Sequence, residues 1–194
     1  MCQHRGVSEF AAVVLAGGAA RRFGGIDKMQ LRVGGRTLVD RVLEAVADAA
    51  PVVVVGPSRP VSVPVLWTRE TPPGSGPLAG LAAGLALVPE SAELVAVLAG
   101  DLPLLSHRTV ARMRAALLGS RAAGAVLVDP AGYPQWLTGV WRAGELRRAL
   151  PEDVRDRSVR SVLGELGPLR IPASPREAAD VDTPQDLSRI QRYG

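Results

Sequence analysis

Residues 10–28 read FAAVVLAGGAARRFGGIDK, an apolar run followed directly by a glycine-rich segment that ends on a lysine. The apolar part, Phe10 to Leu15, has the length and composition of a buried β-strand. Glycines directly after a strand let backbone N–H groups approach a ligand, because no Cβ blocks them. The segment lacks the Gly-Lys-Ser/Thr ending of a P-loop and the spacing of the dinucleotide-binding fingerprint. Its glycines alone therefore indicate either a ligand-binding loop or an ordinary strand-to-helix turn.

The rest of the chain alternates short apolar runs with amphipathic stretches. Further strands are predicted at 52–55, 63–67, 93–99, 123–128, 135–141 and 169–171, with Pro64 marking an edge strand and 135–141 a candidate antiparallel strand. Helices are predicted after Thr37, over 77–87, after Ser106, over 143–150 and 158–166, and after Thr183. This alternation predicts an α/β fold of three layers, α/β/α, around a Rossmann-like, mostly parallel sheet. Ligands of such sheets bind beyond the carboxyl ends of the strands, so functional residues are expected just after strands.

Length and composition indicate one globular domain. The chain has 194 residues, 47% of them hydrophobic and 22% charged, which is enough to build a core. We expect one domain over 10–194, with residues 1–9 loosely ordered. No apolar stretch reaches the roughly 18 residues of a membrane span, and no secretory h-region follows the first residues. The single cysteine, Cys2, excludes an internal disulfide and a cysteine metal cluster, so a cytoplasmic protein without a membrane partner is expected.

The basic charge does not indicate a nucleic-acid-binding protein. The net charge is +4, but the arginines are dispersed and aromatic residues make up only 4% of the chain, too few for a base-stacking surface. Of the 23 basic residues only Lys28 is a lysine, and asparagine is absent. A lone lysine in such a background marks a position where a guanidinium could not replace a compact ammonium. The alternative is a leftover surface lysine.

The whole string from Leu15 to Lys28 closely resembles the signature of the MobA-like nucleotidyltransferases, whose best-known members are molybdenum cofactor guanylyltransferases. Phe23 stands where that family usually has Met, and Lys28 falls on the signature lysine. Three further matches follow in family order: Gly76 to Gly80 (GPLAG), Leu98 to Pro103 (LAGDLP) and Val181 to Leu187 (VDTPQDL). The resemblance therefore covers the chain from about residue 10 to about residue 190.

The resemblance implies a role for each matching residue. Arg22 and Lys28 would bind the triphosphate and offset charge during phosphoryl transfer, and Asp101 would be catalytic and hold Mg²⁺. Asp182 would supply a second carboxylate to the metal, although the family often has Asn there. The remaining nucleotide-binding residues would be Leu15, Ala16, Gly17, Gly18, Gly76 and Pro77.

Structural explanations stand beside these roles. Asp101 could cap a helix beginning near Pro103, and Asp182 could be a turn residue before the Thr183 cap. Gly76 to Gly80 could simply allow close helix packing, and Arg21 is expected to face solvent.

The sequence departs from the family pattern just before GPLAG. The family commonly has a nucleotide-binding Asp there, and the ungapped equivalent is Arg69, followed by Glu70, which could substitute.

Further along the chain, Gln135 and Arg142 are candidates for contacts with the second substrate. Trp136 and Trp141 are expected in the core or in a pocket wall. His107, at a helix start, offers no His-based nucleophilic triad.

The resemblance implies a Mg²⁺-dependent enzyme. A phosphate of molybdopterin, or of its molybdenum-loaded form, would attack the α-phosphorus of GTP and release pyrophosphate, and proteins of molybdenum cofactor biosynthesis are expected partners. The preference for guanine over cytosine is implied by the motif sequences LAGG and GPLAG, which resemble those of the guanylyl enzymes. The alternatives are a nucleotidyltransferase that uses CTP or another phosphorylated acceptor such as a sugar phosphate, and a non-catalytic nucleotide-binding adaptor.

Overall fold

The computed structural model describes residues 10–17, 27–155 and 157–192. Within these ranges the central sheet has seven strands in the order β5-β4-β1-β6-β8-β7-β9. A separate two-stranded hairpin comprises β2 and β3. The strands are β1 (Phe10–Leu15), β2 (Arg32–Val33), β3 (Arg36–Thr37), β4 (Val52–Val55), β5 (Leu66–Thr68), β6 (Leu94–Ala99), β7 (Gly124–Val128), β8 (Pro134–Arg142) and β9 (Leu169–Pro172).

The sheet is mostly parallel, as predicted. β1 pairs in parallel with β4 and β6, β4 with β5, and β7 with β9. β8 is antiparallel to both of its neighbours, β6 and β7. The candidate antiparallel strand is therefore confirmed, and the carboxyl ends of the parallel strands share one edge of the sheet.

The helices begin where the sequence places capping residues. Thr37 caps α1, Ser106 caps α3 and Thr183 forms a capping box with Asp186 at α6, each side chain accepting a backbone N–H of the first turn. Pro77 begins α2. The six α-helices of the described chain are α1 (Leu38–Ala45), α2 (Pro77–Leu85), α3 (His107–Leu118), α4 (Ala143–Ala149), α5 (Val159–Leu163) and α6 (Pro184–Gln191).

Alternate residues of the central strands face two separate cores. Ala12 and Val14 of β1 pack on the side of α1 and α3, with Val42 and Met113 among the buried contacts. On the opposite side, Ala11 and Val13 of the same strand belong to the core built with α2, α4 and α5, whose largest buried side chain is Trp141. Because successive residues of a strand point to opposite faces, both faces of the sheet are covered and the three-layer architecture is confirmed.

Several boundaries differ from the predictions. The edge strand runs over Leu66–Thr68 rather than 63–67, because Pro64 has no N–H to donate to a neighbouring strand. The helix expected over 158–166 ends at Leu163, ahead of Gly164 and of Gly167 at φ +57°. The β2–β3 hairpin was missed, although Gly34 and Gly35 at its tip have φ of +56° and +80°, as a type I′ turn requires.

The close approach of β1 and β6 at the carboxyl edge depends on a glycine. Gly100 donates its N–H to the Leu15 carbonyl at 2.9 Å. A Cβ added at Gly100 would lie 2.9 Å from Met29 Sδ and 3.2 Å from Ala16 Cβ, so a larger residue would require Met29 to move and the end of β1 to shift slightly. Across the described ranges no helix combines the length and apolar character needed to cross a membrane.

Candidate active site

The carboxyl edge of the sheet brings together the segments that the sequence singles out. Leu15, Ala16 and Gly17 leave β1, Asp101 leaves β6, and Gly76 at φ +91° precedes Pro77 at the start of α2. Gly18 and Arg22, together with the expected loose N-terminus over 1–9, lie outside the described residues.

Lys28 lies between two carboxylates. Its Nζ donates to Asp101 Oδ2 at 2.7 Å and to Asp182 Oδ1 at 2.9 Å. The Lys28 side chain is 18% exposed and that of Asp101 is 22% exposed. The leftover-surface interpretation of the lone lysine is therefore wrong. Asp101 caps none of the described helices, since α3 is capped by Ser106.

The two carboxylates determine the charge state of Lys28. Burial lowers the pKa of Lys28, but hydrogen bonds to Asp101 and to Asp182, reinforced by their charges, outweigh it and raise the pKa above its ordinary value. Lys28 is thus positively charged over the whole physiological range. The hydrogen bonds to these two carboxylates fix the ammonium at the edge of the sheet, close to the end of β6.

The segment before α6 is attached to the same point. The Val181 N–H donates to the Asp101 carbonyl at 3.2 Å, and the Val181 side chain is fully buried. This bond places Asp182 beside Lys28, so Asp182 does more than precede the Thr183 cap. Asp180, which sequence reasoning missed, lies close to the same group. Partial burial and the charges of Asp182 and Asp101 raise its pKa.

Two cavities meet at Asp101. The first has a volume of about 500 Å³ and lies above β1, β4 and the start of α2; its wall is formed by Leu15, Gly17, Met29, Val55, Glu70, Gly74, Gly76, Pro77, Gly80, Ala99, Asp101 and Leu137. The second has a volume of about 730 Å³ and lies towards β8 and α5; its wall includes Asp101, Gln135, Trp136, Thr138, Arg157, Arg160 and Asp180. Gly76, Pro77, Ala99, Asp101 and Leu137 belong to both walls.

The structure distinguishes between Arg69 and Glu70. Glu70 lines the first cavity, whereas Arg69 is exposed and is not part of that wall. Glu70 Oε1 also accepts the Gly74 N–H at 2.8 Å, which ties the loop before α2 to this side chain. Of Arg69 and Glu70, the residue in the wall of the first cavity is therefore the acidic one, one position later than the ungapped alignment implies.

Of the residues expected to contact the acceptor, some lie at the second cavity and one does not. Gln135 and Trp136 line the second cavity. Arg142 does not: it pairs with Leu94 at the amino end of β6, and its guanidinium donates to the carbonyls of Leu117, Ser120 and Ala122. Its prediction as an acceptor contact is wrong, because the antiparallel course of β8 carries its last residue to the opposite edge. Trp141 is fully buried in the core, as predicted.

Arg59, which the sequence did not single out, is built into the site. Its side chain is 6% exposed, and its Nη1 donates to the Ala16 carbonyl at 2.9 Å. Its Nε lies 3.0 Å from Asp27 Oδ2 as an ion pair, with the N–H not aligned for a hydrogen bond. Only the fold could reveal this role, because Arg59 is one of 22 arginines and lies in a loop without a recognisable motif.

The two aspartates have the chemistry of a divalent-cation site. Nowhere in the described ranges do three His, Cys, Asp or Glu side chains form a metal site by themselves. Mg²⁺ does not require such a group, since it is commonly held by one or two carboxylates together with substrate phosphates and water. Asp101 and Asp182 already share one cation, the Lys28 ammonium, so their oxygens converge on a single positive charge. The pair therefore fits Mg²⁺.

Comparison with known proteins identifies relatives of the chain. Residues 12–169 match the MobA-like NTP transferase domain. A molybdenum cofactor guanylyltransferase of Rhodopseudomonas palustris (strain HaA2) is 33% identical, over 93% of this chain and 90% of its own length. A protein of the same name from Bradyrhizobium sp. (strain ORS 278) is 31% identical, over 93% of this chain and 91% of its own.

The fold is also found in a solved structure. Molybdopterin-guanine dinucleotide biosynthesis protein A from Archaeoglobus fulgidus superposes with a TM-score of 0.71 at 21% identity, covering 94% of this chain and 97% of that one. The fold of this chain is therefore an architecture observed before.

Proposed function

The chain belongs to the MobA-like NTP transferase family, and from this premise we propose that it transfers GMP from GTP to the phosphate of molybdopterin or Mo-molybdopterin. In this reaction a phosphate oxygen of the acceptor forms a bond to the α-phosphorus of GTP. The bond between that phosphorus and the bridging oxygen to the β-phosphate breaks, and pyrophosphate leaves. The names of the two relatives, each similar over more than nine-tenths of the chain, support this choice of substrates.

The observation that carries the proposal is the position of Asp101 between the two cavities. A nucleotide in the first cavity and an acceptor in the second would bring their phosphates together at this residue. Transfer between two bound phosphates needs positioning and charge neutralisation rather than a covalent protein intermediate. Three of the five shared wall residues, Gly76, Pro77 and Ala99, are small, which leaves room for both substrates at the meeting point.

Lys28 and Arg22 would neutralise the triphosphate. The Lys28 ammonium lies 2.7 Å from the Asp101 carboxylate, so phosphates placed at the junction of the two cavities would be within its reach. Arg22 takes its role from the family signature. Asp101 and Asp182 would hold Mg²⁺, which when bound offsets the negative charge of the phosphate oxygens.

The cavity walls suit the two substrates. Glu70 in the first cavity can accept hydrogen bonds from the N–H groups of guanine, which cytosine does not present in the same arrangement. In the second cavity, Trp136 offers a partly buried aromatic wall to a flat ring system, and Arg157 and Arg160 add positive charge for a phosphate.

Pyrophosphate release from purified protein tests this function. We would supply GTP or CTP, with Mg²⁺, and either molybdopterin or a sugar phosphate as acceptor. Release only with GTP and molybdopterin is the expected result. Release with CTP or with a sugar phosphate would transfer the assignment to those substrates. GTP binding without turnover on either acceptor would indicate a non-catalytic adaptor.

A further inference from the structure

Arg59 contacts both ends of the segment that carries the family signature. Its Nη1 donates to the carbonyl of Ala16, just after β1, and its Nε pairs with the carboxylate of Asp27, directly before Lys28. These are two points eleven positions apart in the sequence, and one guanidinium holds both. A lysine would hold these two points less well, because all its donors lie on one nitrogen, whereas two separate nitrogens of the guanidinium, Nη1 and Nε, meet the two groups here.

The loop after β4 is built to deliver Arg59 to this place. Ala16 donates its N–H to the Val55 carbonyl at 2.8 Å, and Gly56 follows with φ +148°. A Cβ at Gly56 would lie 2.8 Å from the Ala16 oxygen and 2.9 Å from its carbonyl carbon, so the chain passes directly over Ala16. Three residues later the Arg59 side chain is nearly completely buried.

Asp27 connects Arg59 to Lys28. Its Oδ1 accepts the Met29 N–H at 3.1 Å and so caps the short 3₁₀ turn Lys28–Gln30, while its Oδ2 faces Arg59. The Asp27 carboxylate therefore caps the turn that carries Lys28 and also forms the ion pair with Arg59. Burial lowers the pKa of Arg59, and the charge of Asp27 acts against this; the pairing keeps a buried cation compensated.

We propose that Arg59 is a positioning residue for Lys28: by holding Ala16 and Asp27 it fixes the turn that places the Lys28 ammonium between Asp101 and Asp182. Arg59 does not touch the reacting phosphates itself, since its guanidinium is occupied below the surface. Its importance for catalysis rests on the proposed nucleotidyl transfer, whereas its effect on Lys28 is a property of the folded chain alone.

The lone lysine allows a direct test without substrate. With limiting acetic anhydride, the only amines of the chain that react are Lys28 and the α-amino group, and mass spectrometry gives the rate at each. We would compare wild type with Arg59→Met, Asp27→Asn and the double variant. The expected result is acetylation of Lys28 about tenfold faster in each single variant, with the α-amino rate unchanged. The double variant should not exceed the faster single variant, because both act through one contact.

A matched control separates this effect from general loss of stability. Arg147 also donates to two backbone carbonyls, those of Val88 and Pro89, but on α4 and away from Lys28. Arg147→Met is expected to lower the melting temperature and leave the Lys28 rate at the wild-type value. Unchanged Lys28 acetylation in Arg59→Met, or equal acceleration in Arg147→Met, would overturn the proposal.

Turnover then separates this proposal from the proposed function. In Arg59→Met, kcat with GTP and molybdopterin should fall about tenfold below wild type, and Arg59→Lys should recover only part of the loss. Wild-type protein without GTP turnover would contradict the proposed function and leave the acetylation comparison valid. Wild-type turnover with unchanged Lys28 reactivity in Arg59→Met would contradict the role of Arg59 alone.

Discussion

Lys28 donates hydrogen bonds to two carboxylates from one compact ammonium group. Replacement of Lys28 by arginine keeps the positive charge and changes the shape of the group that carries it. A planar guanidinium is larger than the ammonium that lies 2.7 Å from Asp101 Oδ2 and 2.9 Å from Asp182 Oδ1, so the two carboxylates would have to shift to receive it. We expect Lys28→Arg to lower kcat about 100-fold, the size of effect seen when one preorganised charge-stabilising donor is lost. Steady-state pyrophosphate release with circular dichroism as a folding control measures this, and turnover within about twofold of wild type would show that only the charge matters.

The residues of this site differ in how far the sequence could predict them. Lys28, Asp101 and Asp182 stand in recognisable strings, and the structure brings their side chains together. The roles assigned to Gly18 and Arg22 stay predictions. Arg59 could not be found, because its meaning depends on the loop after β4 folding back over Ala16. Arg142 was misplaced because the direction of β8 decides which edge of the sheet its last residue reaches.

At the scale of elements, α2 packs on the sheet through two glycines that differ in available space. A Cβ at Gly84 would lie 2.5 Å from Val13 Cγ1 and 2.8 Å from Val55 Cγ2, whereas one at Gly80 would meet its nearest neighbour, Leu15 Cδ2, at 3.4 Å. Gly84→Ala should therefore destabilise the fold by about 1–2 kcal/mol, since overpacking outweighs the gain in helix propensity.

Gly80→Ala is the matched control for this comparison. Its contacts are close to ordinary van der Waals distances, so the helix gain of up to about 1 kcal/mol should leave stability equal to or above that of wild type. Urea unfolding of the two variants gives both numbers. Equal destabilisation by the two substitutions would mean that α2 does not lie against β1 and β4 as described.

Glu177 connects the loop after β9 to α3. Its carboxylate accepts bonds from Thr109 Oγ1 at 2.7 Å, the Ser174 N–H at 2.8 Å and Arg112 Nη2 at 3.2 Å. Burial raises the pKa of Glu177, but these bonds outweigh it and hold the pKa below the ordinary 4.5. A lowered folded-state pKa stabilises the protein above the unfolded-state value, and the contribution is lost as the pH falls through the folded value.

The Glu177→Gln variant should therefore show a pH-dependent deficit. We expect a loss of about 1–2 kcal/mol at pH 7, because the charged acceptor of three bonds is gone, and a shrinking difference from wild type below about pH 4. Denaturant unfolding across pH 3–7 measures it, with the exposed Glu165→Gln as control. A difference that stays constant over this range would contradict the linkage to the Glu177 charge.

Element types were predictable where the apolar period was clear, and boundaries only where an apolar run was uninterrupted. The strands Phe10–Leu15 and Val52–Val55 follow directly from uninterrupted apolar runs. The hairpin of β2 and β3 escaped notice because two-residue strands show no alternation, even though the Gly34-Gly35 pair between them is a turn signal.

At the scale of the whole molecule, the two cavities predict a separation of substrate effects. Glu70 lines only the first cavity and Gln135 only the second. Glu70→Gln should raise the KM for GTP about tenfold with little change in the KM for the acceptor, since a charged hydrogen-bond acceptor is lost. Gln135→Ala should do the reverse. If either variant raised both KM values equally, the assignment of one substrate to each cavity would be wrong.

The parallel sheet itself followed from the alternation of apolar runs and amphipathic stretches, since only parallel pairing brings the carboxyl ends of β1, β4 and β6 to one edge. The cavities could not be predicted from the sequence, because their walls combine residues that are far apart along the chain. Asp101 and Asp180 are 79 positions apart, and a backbone bond at Val181 places them together.

The most direct test concerns Asp101, where the two cavities meet. Asn has the same size as Asp and lacks the charge, so Asp101→Asn removes the carboxylate with little change of shape. With GTP, Mg²⁺ and molybdopterin, pyrophosphate release should fall at least about 100-fold in kcat while the melting temperature stays close to that of wild type. Asp101→Asn protein that releases pyrophosphate at the wild-type rate would contradict the assignment of this edge of the sheet as the site of transfer.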